Sequence, residues 1–141
     1  MRTVVAFALV VLLAGCGNEP SGLDGEVAGT YSLITIDGSP PPFVYIDAPG
    51  YRDVILGGVV TLSPDGTFTD ATNMRVTRET VTEEKTVTLR GTWELQGFVV
   101  VFTPDPRINR GRPYTMTFRQ GRLTLVEGGL TSTFERTNAE S

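Results

Sequence analysis

Apolar and polar residues alternate with a period of two over most of the chain. The clearest example is residues 86–95, where every second residue is apolar or glycine and its neighbours are polar. Residues 114–119 and 122–125 alternate in the same way. This period places one face of a β-strand against a core and the other in water. After the first fifteen residues, no helical spacing of apolar residues is sustained over ten positions. The pattern predicts an all-β protein.

Turn-forming residues separate these runs at short intervals. They are residues 63–66, Glu83-Glu84, Gln96-Gly97, Gln120-Gly121 and Gly128-Gly129. Glycine supplies the positive φ that tight hairpins need, and strands joined by such short links must be antiparallel neighbours. The segments with strand character are 30–36, 43–47, 58–62, 67–70, 74–82, 85–95, 98–103, 114–119, 122–127 and 130–136. From them we predict an up-and-down meander of eight or nine strands.

A sheet of this size with one apolar face must hide that face. Since no helix is predicted to cover it, the sheet can curl into a closed barrel, which also removes its exposed edges. A two-sheet β-sandwich is the alternative. Two segments interrupt the meander: residues 37–53, which contain Pro40-Pro41-Pro42, and residues 103–112, which carry two prolines and three arginines.

The first sixteen residues have the organisation of an export signal. Arg2 precedes an uninterrupted apolar run of ten residues, 4–13, which is much shorter than the roughly 20 residues that span a bilayer. The sequence Leu13-Ala14-Gly15-Cys16 that ends this run resembles the lipobox of bacterial lipoproteins. The resemblance implies that a signal peptidase recognises Leu13, Ala14 and Gly15. Cys16 would then become the first residue, carrying diacylglycerol and a fatty acyl chain such as palmitate. An ordinary secretory signal is the alternative.

The signal sets the predicted organisation of the chain. We expect a signal peptide over 1–15, a lipidated N-terminus and flexible tether over 16–27, the barrel domain over 28–136 and a polar tail over 137–141. Gly17 replaces the aspartate that usually marks inner-membrane retention. This favours an outer-membrane lipoprotein facing the periplasm, in contact with the membrane through the lipid on Cys16.

Composition excludes several kinds of site. The 141 residues include 12 Lys and Arg against 16 Asp and Glu, so the net charge of −4 argues against binding nucleic acid. The chain has no histidine and one cysteine, which excludes zinc sites built from those ligands and histidine-activated nucleophiles. We therefore predict a non-catalytic protein that has no catalytic residues, no metal-binding residues, no cofactor and no internal disulfide.

Several motifs follow one another in an order that resembles a known family. They are GTYSLITIDGSPPP at 29–42, GGVVTLSPDGTF at 57–68, Gly91-Thr92-Trp93, GRLTL at 121–125 and Phe134-Glu135-Arg136. Together they resemble the small bacterial lipocalin-like lipoproteins over residues 28–136. The resemblance implies an antiparallel barrel of the calycin type without catalytic residues. It also implies that Arg136 covers the ring of Tyr31 and closes one end of the barrel.

The predicted function is non-catalytic binding of a small apolar or amphipathic molecule by a monomeric protein. The alternating pattern nominates side chains that either line a cavity or pack together as a core: Tyr31, Leu33, Phe68, Leu89, Trp93, Phe102, Met116 and Leu125. The alternative is a protein-interaction or inhibitor module that docks on an envelope partner through its loops. The aromatic segment 43–51 and the arginine loop with Arg107, Arg110 and Arg112 are the candidate docking surfaces.

Overall fold

The computed structural model describes residues 26–107 and 111–137. The elements are nine β-strands: β1 (Gly29–Ile36), β2 (Phe43–Ala48), β3 (Tyr51–Leu62), β4 (Thr67–Arg78), β5 (Val81–Gln96), β6 (Val99–Pro104), β7 (Tyr114–Arg119), β8 (Arg122–Glu127) and β9 (Leu130–Arg136). Within these described ranges, no helix has the length and apolar character needed to cross a membrane.

The strands form one antiparallel sheet that closes on itself. Consecutive strands from β3 to β9 are neighbours, β9 pairs with β1, and β1 pairs with the second half of β3. Eight strands therefore make the barrel, and the predicted up-and-down barrel is confirmed in place of the sandwich. The ninth strand, β2, lies outside and pairs with the first half of β3.

The hairpin between β4 and β5 differs from the prediction. The predicted strands 67–70 and 74–82 belong largely to one continuous strand, β4, and the turn falls at Glu79-Thr80 instead of Glu83-Glu84. Glu79 adopts a φ of 53°, a left-handed conformation that is uncommon outside glycine. Glu83 and Glu84 lie within β5, where Glu84 accepts a hydrogen bond from Arg75 across the strand pair. β3 is also longer than the predicted strand 58–62.

One end of the barrel is filled by its own side chains. Its packed core contains Val27, Tyr31, Val60, Leu62, Phe68, Trp93, Val100, Phe102, Met116, Leu123 and Phe134. Phe68 meets Phe102 edge to face at a centroid distance of 5.0 Å, an arrangement that aromatic rings favour. Trp93 donates its indole N–H to the carbonyl of Ser63 at 2.9 Å. We call this the packed end.

Gly91 is required by the close approach of two backbones where the last residues of β6 pair with β5. A Cβ placed on Gly91 would lie 2.0 Å from the carbonyl oxygen of Thr103 and 2.8 Å from the Cα of Pro104. Since ordinary contacts begin above 3 Å, no larger residue fits without moving the strands. The glycine thus lets the end of β6 cross closely over β5, next to the buried ring of Trp93.

Candidate functional site

The other end of the barrel contains a cavity of about 280 Å³ between the strands. Ten of the residues that line it are apolar or aromatic: Leu33, Ile36, Tyr45, Ile55, Met74, Val87, Leu89, Leu125, Leu130 and Phe134. The other lining residues in the described part of the chain are Asp70, Thr72, Glu127 and Ser132. These residues come from seven strands, β1 to β5, β8 and β9, so the cavity is enclosed by the barrel wall and the outer strand β2.

Solvent reaches the lining of the cavity at Tyr45 of β2 and Val87 of β5. Tyr45 is 50% exposed and Val87 is 43% exposed, although both contribute to the lining. Typical small-molecule sites measure roughly 300–1,000 Å³ and combine apolar walls with a few polar groups. This cavity is slightly below that range, so its size suits a small ligand. We call the end that opens here the open end.

Asp70 is held at the inner part of the cavity by a tyrosine. Its Oδ2 accepts a hydrogen bond of 2.7 Å from the hydroxyl of Tyr114. The ring of Tyr114 stacks on Phe102 at 4.7 Å and meets Phe68 edge to face at 6.2 Å. The packed aromatic rings therefore fix the tyrosine, and the tyrosine fixes the orientation of the carboxylate.

Burial determines the protonation behaviour of this pair. Burial raises the pKa of Asp70 above its usual range; the hydrogen bond from Tyr114 opposes this shift and the charge of Glu127 adds to it. The pKa of Tyr114 is raised by burial and by the neighbouring Asp70, so the tyrosine keeps its proton and acts as a donor. The carboxyl groups of Asp70 and Glu127 thus interact unfavourably across one small cavity with mostly apolar walls.

Neither cavity carboxylate has a cationic partner in the part of the chain that the structure describes. The ion pairs there join Arg75 to Glu84, Arg107 to Asp105 and Arg122 to Glu135, all on the surface. Asp70 and Glu127 therefore give the cavity an uncompensated acidic character. No group of three or more His, Cys, Asp or Glu among the described residues is arranged to hold a metal ion.

The residues nominated from the sequence divide between the two ends of the barrel. Tyr31, Phe68, Trp93, Phe102 and Met116 belong to the packed core. Leu33, Leu89 and Leu125 line the cavity while also packing against that core. The single predicted set therefore corresponds to two regions, a filled end and a lined cavity.

Tyr31 and Arg136 lie together at the packed end. They are register partners on β1 and β9, and the guanidinium carbon of Arg136 lies 5.4 Å from the centre of the Tyr31 ring. Arg136 also donates a 2.9 Å hydrogen bond to the Tyr31 hydroxyl and another to the backbone carbonyl of Glu26. The Tyr31 hydroxyl in turn donates to the carbonyl of Val27. These contacts join the first and last strands at the packed end.

The predicted docking surfaces differ in how much of them is described. In segment 43–51, the side chains of Val44, Tyr45 and Ile46 are exposed on β2. In the arginine loop, Arg107 forms an exposed ion pair with Asp105, whereas Arg110 falls outside the described residues. Leu13, Ala14, Gly15 and Cys16 also lie outside them.

The two cavity acids were not among the residues nominated from the sequence, although the alternation contains them. Asp70 is two residues from Phe68 and therefore lies on the same face of β4. Glu127 extends the series Leu123 and Leu125 on β8 in the same way. A charged residue at an apolar position of a strand was the signal that could have identified both.

No family model, curated protein or solved structure matches this chain.

Proposed function

We propose that this protein is a lipid-anchored lipoprotein of the bacterial envelope whose lipocalin-like barrel binds a small, mainly apolar molecule without transforming it. The observation that carries the proposal is the cavity of about 280 Å³ at the open end, which has apolar walls and polar groups at a few defined places. The filled packed end supports the cavity by fixing the strands around it.

Binding of a neutral apolar probe tests this function. The chain from residue 17 contains all nine strands and every contact that closes the barrel, so it is the material for the assay. We expect N-phenyl-1-naphthylamine, which fluoresces strongly in apolar surroundings, to bind saturably, and native mass spectrometry to detect a bound small molecule. The absence of saturable binding would refute the proposal.

Two matched variants locate the bound probe. Val87→Trp introduces a bulky ring into the lining of the cavity, whereas Val126→Trp makes the same change on β8 outside the lining. Both valines are exposed, at 43% and 71%, so neither substitution crowds the packed core. We expect Val87→Trp to lose most of the probe binding and Val126→Trp to retain it. Equal binding by both variants would place the probe elsewhere.

The anchor is tested separately from the cavity. The lipobox-like sequence ending at Cys16 supports acylation of that cysteine. Full-length protein expressed in a Gram-negative host should fractionate with the membranes, and Cys16→Ser should release it or leave it unprocessed, with no incorporation of labelled palmitate. Identical fractionation and labelling of the two proteins would contradict lipidation.

The exposure of β2 favours a second candidate function, a protein-interaction or inhibitor module. β2 lies at the end of the strand order and presents Val44, Tyr45 and Ile46 to solvent. Such an edge can pair with a strand of another protein. A barrel that takes up no apolar probe, but whose binding to an envelope protein is lost in Ile46→Lys, would favour this candidate over ligand binding.

A further inference from the structure

We propose that the ligand of the cavity is an amphipathic amine, with its apolar chain against the cavity wall and its ammonium group facing Asp70 and Glu127. This inference rests on the proposed ligand-binding function and specifies the chemical class of the ligand. It follows from the charge within the cavity, the acceptor capacity of the Asp70 carboxylate and the apolar walls.

The charge of the lining has one sign. Among the described residues that line the cavity, the charged ones are Asp70 and Glu127, and both are acidic. An anionic ligand, such as a fatty acid, would bring a third carboxylate into this space and be repelled at short range. A cationic group would instead meet the half-buried carboxylate of Asp70 among apolar side chains, where attraction between opposite charges is stronger than in bulk water. The exposed carboxylate of Glu127 would add to this attraction.

The fixed carboxylate has acceptor capacity to spare. An ionised carboxylate offers about four lone-pair positions, and Tyr114 donates to Oδ2 of Asp70. Among the described residues, Tyr114 is the side chain that donates a hydrogen bond to Asp70. Asp70 also belongs to the cavity lining, so a ligand can reach it. An ammonium group has three donors and no acceptor, which matches this arrangement.

The rest of the lining makes a bare inorganic cation a poorer match than an amphipathic amine. Leu33, Leu89 and Leu125 surround the same space, and ions such as Ca²⁺ need six to eight oxygen ligands. An alkyl chain attached to the ammonium group would instead bury apolar surface against these leucines. The combination of walls and charge therefore points to one molecule with both characters.

Three eight-carbon ligands that differ in their head groups test the inference. Octylamine, octanol and octanoate are each titrated against the chain from residue 17 loaded with N-phenyl-1-naphthylamine at pH 7. A charge-assisted hydrogen bond contributes enough free energy to change affinity by about tenfold or more. We therefore expect octylamine to displace the probe at about one tenth of the octanol concentration, and octanoate to be the weakest.

Charge-neutralising variants assign the preference to the cavity. Asp70→Asn should bring the octylamine and octanol affinities to within about twofold of each other, because the charge-assisted bond is lost. Glu127→Gln changes an exposed side chain at the strand end, so it should fold normally, and it should reduce the preference in part. Glu94→Gln is the matched control, because Glu94 is exposed at the packed end of β5 and contacts Gln96. It removes the same charge and should leave the preference unchanged.

The possible failures are distinguishable. If the probe does not bind, the proposed ligand-binding function fails and the inference fails with it. If the probe binds but octanol or octanoate displaces it as effectively as octylamine, cavity binding stands and the amine is wrong. A preference for octylamine that Glu94→Gln reduces as much as Glu127→Gln would also overturn the inference, because it would reflect the net negative charge of the protein.

Discussion

Replacing Gly91 by alanine tests the close approach of β5 and β6. The new Cβ would lie 2.0 Å from the Thr103 carbonyl oxygen, so the strands must separate by more than 1 Å to admit it. The matched variant is Gly57→Ala in β3, where a Cβ meets nothing within 4 Å and φ is not left-handed. Both substitutions reduce the freedom of the unfolded chain, which stabilises a protein by about 0.4–1 kcal/mol where the residue fits.

Because that gain is common to both variants, the difference between them measures the clash. Overpacking typically costs about 1–3 kcal/mol, so Gly91→Ala should have a free energy of unfolding lower than that of Gly57→Ala by about this amount. Urea denaturation followed by the fluorescence of Trp93, the sole tryptophan, gives both values. Trp93 is buried and hydrogen-bonded to Ser63, so its emission reports loss of the packed end. Equal free energies of unfolding for the two variants would refute the predicted contact.

Three further substitutions test the packed end and the cavity. Trp93→Ala should lower the free energy of unfolding by about 3–5 kcal/mol by circular dichroism, and a loss below about 1 kcal/mol would contradict its burial. Tyr31→Phe should cost about 1–3 kcal/mol in urea denaturation because the buried Val27 carbonyl loses its donor, and wild-type stability would contradict that bond. Burial raises the pKa of Asp70 in the folded protein above its value in the unfolded chain. The stability that the protonated side chain contributes is therefore complete below the unfolded pKa of about 4 and is lost as the pH rises through the folded pKa. Asp70→Asn should therefore gain stability relative to wild type as the pH rises above about 4; a difference independent of pH would oppose this reading.

Features set by local pattern were predictable from the sequence. The alternation along residues 86–95 reappears as the inner and outer faces of β5, and the short links fixed the antiparallel order. The turn at Glu79-Thr80 was not predictable, because it lacks the glycine, proline or asparagine that usually marks a tight turn. Local pattern favours a turn at the nearby Glu83-Glu84, yet strand pairing with β4 keeps both residues extended.

The cavity depended on contacts between distant parts of the chain. Tyr114 and Asp70 are 44 residues apart, and their hydrogen bond exists because the barrel brings β7 and β4 to opposite sides of the same interior. Alternation identifies which side chains point inward, but it does not determine where along the barrel they fill the space completely. For that reason Trp93 and Leu89, which lie on the same face of one strand, were predicted together but belong to the packed core and the cavity lining respectively.

Both termini of the barrel leave from the packed end. Glu26 and Thr137 are joined there to Arg136 and Thr30, while the cavity opens at the opposite pole. Under the proposed acylation of Cys16, the lipid would be attached through the chain that enters at the filled end, so the attachment itself would leave the entrance uncovered. An anchored barrel would thus keep its cavity accessible from the aqueous compartment.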